Sequence, residues 1–197
     1  MLRLNCFGIA NVRLKAAHVL LIVLAMTSVV GDASAQVIDR RHFEVVGLTL
    51  MKDEMSDVER TLGQAVAFRS RGSHFPERCY ASTGKDGTVL VLQDWAGTLV
   101  GFRIYRASAM VIEKCTRTLS VSPQISTAGG LKLGLTKAAV LKLLGTPTKT
   151  TGNSFTYHED VESQTKGREG LFEYTDVDLQ FANSNLTSIH VVHTVRD

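Results

Sequence analysis

Hydrophobic and polar positions alternate along this chain in three ways, and each predicts a different element. Ala16 to Val30 is an apolar run broken only by His18, Thr27 and Ser28. Val140, Leu143 and Leu144 recur at helical spacing behind Thr136, and Met55, Val58 and Leu62 do so behind Asp53. Those stripes predict two short amphipathic helices. After the first come three strand-like runs, Arg78 to Ser82, Thr88 to Trp95 and Leu99 to Ala107. After the second come Ser154 to Asp160, Glu173 to Ala182 and Leu186 to Val195. Glycine- and asparagine-rich turns such as Ala96-Gly97 and Asn183-Ser184-Asn185 separate the strands.

The helix ends are written in the sequence. Thr136 is a good N-cap, Gly145 suits the left-handed C-terminal position, and Pro147 prevents continuation. In the first helix Asp53 is the expected cap, Glu54 and Asp57 favour the positive end of the dipole, and Gly63 closes the helix. The order helix, strand, strand, strand therefore occurs twice. It predicts an α+β fold of two tandem helix-plus-three-stranded antiparallel sheet units, with the helices packed on one face of the sheet. The first unit spans residues 36–115 and the second 130–197. Residues 116–129, polar with one proline and no helical period, form the expected connector.

The second helix region carries a resemblance. Gly134, Leu135, Thr136, Val140, Leu144, Gly145 and Pro147 fit the helix text of the BamE-like and β-lactamase-inhibitor-protein-like superfamily. Met55, Val58, Leu62 and Gly63 fit it in the first copy, where Gln64 and Ala65 replace the usual residues after the glycine. The tandem layout is similar to β-lactamase inhibitor protein. The resemblance implies a long curved sheet and a non-catalytic binding role. Single-unit BamE-like proteins are outer-membrane lipoproteins of the barrel-assembly machinery, and this chain lacks their lipid-bearing cysteine.

Charge and cysteines change the picture at the N-terminus. Arg3, Arg13 and Lys15 precede the apolar run, Gly31 breaks it, and Ala33-Ser34-Ala35 places small residues where a signal peptidase reads. Residues 1–35 read as a signal peptide, with Gln36 first in the mature chain. A membrane anchor is the alternative, but the run is shorter than the ~20 residues a span needs. Removing the leader takes the formal charge from +3 toward neutrality, which gives no case for nucleic acid. Cys79 and Cys115 then remain, and two cysteines in an oxidising compartment are expected to pair; two free buried thiols are the alternative. The reading is of a periplasmic or secreted protein without a membrane span in its mature chain.

Catalytic chemistry is hard to find. No serine sits in a nucleophile elbow, no phosphate loop is present, and His190 and His193 point to opposite faces of one strand. The Tyr157–Glu162 segment, YHEDVE, is the one His–carboxylate cluster and reads as a solvated strand end. No cofactor or metal is implied. A binding face is easier to argue: Tyr80, Trp95, Arg103, Tyr105 and His190 are of the types that anchor interfaces or lie beside such residues. In the third strand Val100, Phe102 and Ile104 should face inward, and Leu99, Gly101, Arg103 and Tyr105 outward. The expected function is binding another protein or an envelope component through the exposed sheet face. A small ligand or peptide in a groove between the two units, and an uncharacterised hydrolase, are the alternatives. Sequencing the N-terminus of the exported protein checks the leader: Gln36 is expected first, and retention of residues 1–35 excludes cleavage there.

Overall fold

A nine-stranded sheet organises the described residues and carries the main core on one of its faces. The computed structural model describes residues 37–70, 73–162 and 170–196; the proposed signal peptide lies outside them. Two short strands, β1 (Glu44–Val45) and β2 (Leu48–Thr49), pair with each other. They follow a 3-10 turn at Arg40–Phe43. Helix α1 (Met55–Leu62) leads into β3 (Ala67–Phe68), β4 (Glu77–Ser82), β5 (Thr88–Trp95) and β6 (Thr98–Arg106). Helix α2 (Ala109–Ile112), β7 (Thr116–Thr118) and helix α3 (Lys137–Leu144) come next. The chain ends with β8 (Lys149–Thr151), β9 (Ser154–Glu162), β10 (Phe172–Ala182) and β11 (Asn185–Arg196).

The spatial order is β3-β4-β5-β6-β11-β10-β9-β8, antiparallel throughout, with β7 added parallel to β4. This corrects the expected architecture. The molecule is mostly β, and its halves are not separate helix-plus-three-strand units. Strand β6 pairs with β11 from Gly101↔Val192 to Tyr105↔Ser188, so one hydrogen-bonded sheet runs through both halves. Helical periods at two places could not reveal that their strands share a sheet, because pairing between distant strands is decided by tertiary contacts.

The main core lies between this sheet and the helix side. Leu90, Leu92, Phe102 and Ile104 of one half meet Val177, Leu179, Ile189 and Val191 of the other in one cluster with Val58, Leu62, Val140 and Leu144. Helices α1 and α3 are each docked at both ends. Leu99 donates its N–H to Asp53 O, and Leu186 donates its own to Leu135 O, so each helix lead-in is tied to the start of a strand. At the far ends Tyr80 Oη donates to Gly63 O at 2.9 Å and Tyr157 Oη to Gly145 O at 3.1 Å. Burial pushes both tyrosine hydroxyls up to about 12, so they stay protonated donors.

Local chemistry explains the helices and corrects details of both. Thr136 Oγ1 accepts from Ala139 N, and Gly145, at φ 70°, ends α3 by donating to Leu141 O. The buried stripe of α3 is Val140 and Leu144; Leu143, placed in it from spacing, is exposed. Asp53 does not cap α1. Glu54 occupies that position and donates its N–H to Asp57 Oδ2, while Asp53 accepts from Thr49 N. Residues 116–129 are also more than a connector. Val121 and Ile125 are buried, and Ala128 N and Gly129 N donate to Glu44 O and Arg41 O.

A second, smaller core covers the opposite face of β4 and β5. It contains Cys79, Ala81, Val89, Val91 and Cys115, with Val111 and Ile112 packed against it. Strand β5 is thus buried on both faces from Thr88 to Asp94, which is why TVLVLQ reads as a run and not as an alternation. The Cys79–Cys115 disulfide pins α2 and β7 to that face across a separation of 36 residues. Closing such a loop is worth roughly 2–4 kcal/mol. Cys115→Ser is therefore expected to lower unfolding free energy by about that amount. Urea titration of both forms checks it, and an unchanged midpoint argues against a stabilising bridge.

Candidate functional site

The face opposite the helices differs between the two halves. Over β4 and β5 it is closed by the disulfide-bonded segment, whereas over β6 and β11 it opens into a groove of about 1110 Å³. Strand β6 supplies Arg103 and Tyr105, β11 supplies Ser188, β3 supplies Phe68, and Val111 and Lys114 come from α2 and the turn after it. Of the residues assigned outward, Arg103 and Tyr105 line this groove, while His190 lies on the same sheet face beside Arg103 but is not part of the groove lining. His190 is the cross-strand partner of Arg103, and Ser188 is that of Tyr105.

Alternation fails at one point in β6. A bulge between Gln93 and Asp94 leaves Val100 unpaired opposite them. Leu99 consequently joins Phe102 and Ile104 in the main core, and Val100 does not, reversing the two assignments made from alternation. A bulge inserts one residue and flips everything before it to the other face.

A hydrogen-bonded network lies beneath the groove. Glu77, 1% exposed, accepts from Ser70 N at 2.5 Å and from Gln93 Nε2 at 3.0 Å. Gln93 Oε1 lies 3.1 Å from His190 Nε2. Because the Gln93 amide nitrogen is committed to Glu77, its oxygen accepts and His190 Nε2 carries the proton. Arg103 Nη1 donates to Ser70 Oγ at 3.3 Å, and its Nη2 lies 3.9 Å from Glu77 Oε1. Gly101 makes the crossing possible: a Cβ there would stand 2.6 Å from Gln93 Oε1 and 3.0 Å from Val191 O. Burial alone would raise the Glu77 carboxyl, but hydrogen bonds from Gln93 and Ser70 outweigh it and hold it below the usual range. The network thus fixes Arg103 with its side chain 26% exposed to the groove.

Farther along the same face the character becomes acidic. His158 Nδ1 lies 2.7 Å from Asp176 Oδ1 and its Nε2 3.0 Å from Asp160 Oδ1. Thr156 donates to Asp178 at 2.8 Å. This is where YHEDVE lies: it forms the last six residues of β9, with His158, Asp160 and Glu162 exposed, the solvated strand end expected from the sequence. Among the described residues no group of His, Cys, Asp and Glu has the arrangement to hold a metal ion.

The remaining candidates separate. Tyr80 is fully buried and bonded to Gly63, so it is a core residue with no surface for a partner. Trp95 is 64% exposed and leans on Phe75, with ring centroids 5.8 Å apart. It borders a different groove of about 390 Å³ with Met51, Val100 and Val195. Among the described residues a hydroxyl–imidazole–carboxylate array is formed by Thr175, His193 and Glu173: Thr175 Oγ1 is 2.9 Å from His193 Nδ1, whose Nε2 is 3.7 Å from Glu173 Oε2. Thr175 is only 2% exposed and Phe43 stacks on His193, so the array braces the 3-10 turn against the sheet. Sequence reasoning missed Arg106, Lys114 and Glu77 at the groove. A polar residue inside a strand that is otherwise apolar, as Gln93 is, was the available signal.

No protein-family model and no curated protein matches the chain. A solved structure from Streptococcus mutans, described as a "putative beta-lactamase inhibitor protein", is similar over 81% of this chain and 88% of its own, at 16% identity and a TM-score of 0.22. A likeness of that size lends no weight to either fold or function. Among the described residues no helix is long and apolar enough to cross a membrane.

The two histidines on this face titrate in opposite directions. Burial, then the Arg103 charge, pushes His190 below its ordinary 6.5. The hydrogen bond to Asp176 leads the effects that raise His158 above it. For His190 the unfolded chain binds the proton more readily, so its contribution to stability is present above pH 6.5 and lost as pH falls. For His158 the contribution is present below pH 6.5 and lost as pH rises through its folded value. NMR titration of the imidazoles should therefore place His158 above 6.5 and His190 below it. The reverse order is incompatible with the network.

Proposed function

We propose that the protein is an exported, non-catalytic binding protein that holds another protein or a cell-envelope component against the open face of its sheet. The observation that carries this is the groove over β6 and β11, where Arg103 and Tyr105 lie side by side on a rigid floor. Preorganised Arg and Tyr side chains lose little entropy on contact, which is why they anchor interfaces. Trp95 offers a second, separate anchor.

The Cys79–Cys115 bridge and the N-terminal leader support export to a periplasmic or extracellular location, with cleavage after Ala35. A small ligand enclosed between two separate units is not favoured, because β6 and β11 are hydrogen-bonded there and the groove over their junction is an open face lined from both halves. Among the described residues the hydrolase reading has the Thr175–His193–Glu173 array to draw on, and its hydroxyl is buried.

Photocrosslinking tests the proposal. A photoreactive side chain at position 105, in full-length protein incubated with envelope extract, is expected to give a discrete adduct. The same group at Lys142, exposed on α3 on the helix side, should give none. Equal labelling from both positions, or from neither, overturns the reading.

A further inference from the structure

The groove has a charge and a shape that narrow its partner. Arg69, Arg103, Arg106 and Lys114 line it, against Glu113 as the one carboxylate among the lining residues. Glu77 beneath is already engaged by Ser70 and Gln93. Between the cations lie apolar surfaces: Phe68 and Tyr105 are half-buried, and Val66 is 72% exposed. One wall is the two-residue edge strand β3, and the other is α2 with the turn after it.

We infer that this groove takes a short, extended, acidic peptide segment of a partner protein, with carboxylates set on Arg103, Arg106 and Lys114 and an apolar side chain against Tyr105 and Phe68. The inference rests on the sheet face being the binding surface. An extended chain directs successive side chains to opposite sides at about 3.4 Å per residue, so one segment can serve both cations and apolar wall. Arg103 is the strongest anchor. Its guanidinium is partly desolvated and already oriented by Ser70 and Glu77, and a charge-assisted bond gains strength there.

The rest of the face argues against a long polyanion. Asp160, Asp176 and Asp178 lie on the neighbouring strands β9 and β10 of the same sheet. A nucleic acid or acidic glycan running past the groove would meet those carboxylates, whereas a short segment would not. Like-charge contact of this kind is what excludes wrong partners.

Fluorescence anisotropy with the full chain tests it. The probe is a labelled peptide of roughly eight residues alternating Glu with Val or Tyr, long enough to span the groove. It is expected to bind and to lose about tenfold in affinity as salt rises from roughly 0.05 to 0.3 M. A Lys-for-Glu peptide should not bind. The Arg106→Glu, Lys114→Glu double variant should weaken binding by at least about tenfold, and Arg103→Gln by a similar factor. Should Arg103→Gln fail to fold, Tyr105→Glu supplies the same test while leaving every hydrogen-bonding side chain of the Glu77–Gln93 network in place. Asp176→Asn should leave binding unchanged.

The inference is overturned if the lysine peptide binds equally or the double variant is unaffected. It is also overturned if an oligonucleotide or sulfated glycan binds as tightly as the peptide. Sedimentation showing a dimer that Arg106→Glu dissolves would point to a second copy instead, and against it. A specific crosslink from position 105 with no binding of the acidic peptide removes only the acidic-segment inference. Absence of both removes the binding face as well.

Discussion

Strand β6 meets strand β11 through a run of registered pairs from Gly101↔Val192 to Tyr105↔Ser188, and the remainder of the structure hangs on that junction. Without it each half would end in an open strand edge, a template for unwanted pairing. With it, Phe102 and Ile104 share a core with Val191 and Ile189 under the helices. On the other face the same register sets His190 opposite Arg103. A slip of one residue would exchange the two faces, burying Arg103 and exposing Phe102. The dry core and the wet groove are therefore two consequences of one pairing.

The two faces are covered by different means. The helix side is closed by Val58, Leu62, Val140 and Leu144 on two eight-residue helices held at both ends. The opposite side is closed only over β4 and β5, by a short segment stapled through Cys79 and Cys115. Where that cover stops the sheet becomes polar, first as the basic groove and then as the clamp of carboxylates around His158. A small protein that needs one open face must bury enough elsewhere to stay folded, and the disulfide offsets part of the apolar area the groove leaves in water.

Polar groups buried on this face act in concert. Glu77, Gln93 and His190 come from three strands, and each satisfies another. Such a network is stabilising only when complete, since an unpaired buried carboxylate costs far more than a made bond returns. Gly101 belongs to the same construction through the space it leaves for Gln93. Among the described residues Thr88 Oγ1 is the one buried side-chain polar atom lacking a hydrogen-bond partner.

Local signals determined a good deal of this protein. Thr136 and Gly145 delimit α3, the alternation of Val177, Leu179 and Phe181 sets the buried side of β10, and two cysteines sufficed to anticipate the bridge. These rest on interactions within a few residues, or on a period that the chain carries wherever it folds. Arg103, Tyr105 and His190 were legible as outward residues for the same reason. Joining the halves was not, because β6 and β11 are far apart in sequence and their pairing depends on both cores forming together. The bulge at Val100, the burial of Tyr80 under α1 and the convergence of Arg106 with Lys114 were equally hidden. Each depends on which distant surface arrives opposite, and periodicity along one strand carries no record of that; only the folded sheet decides it.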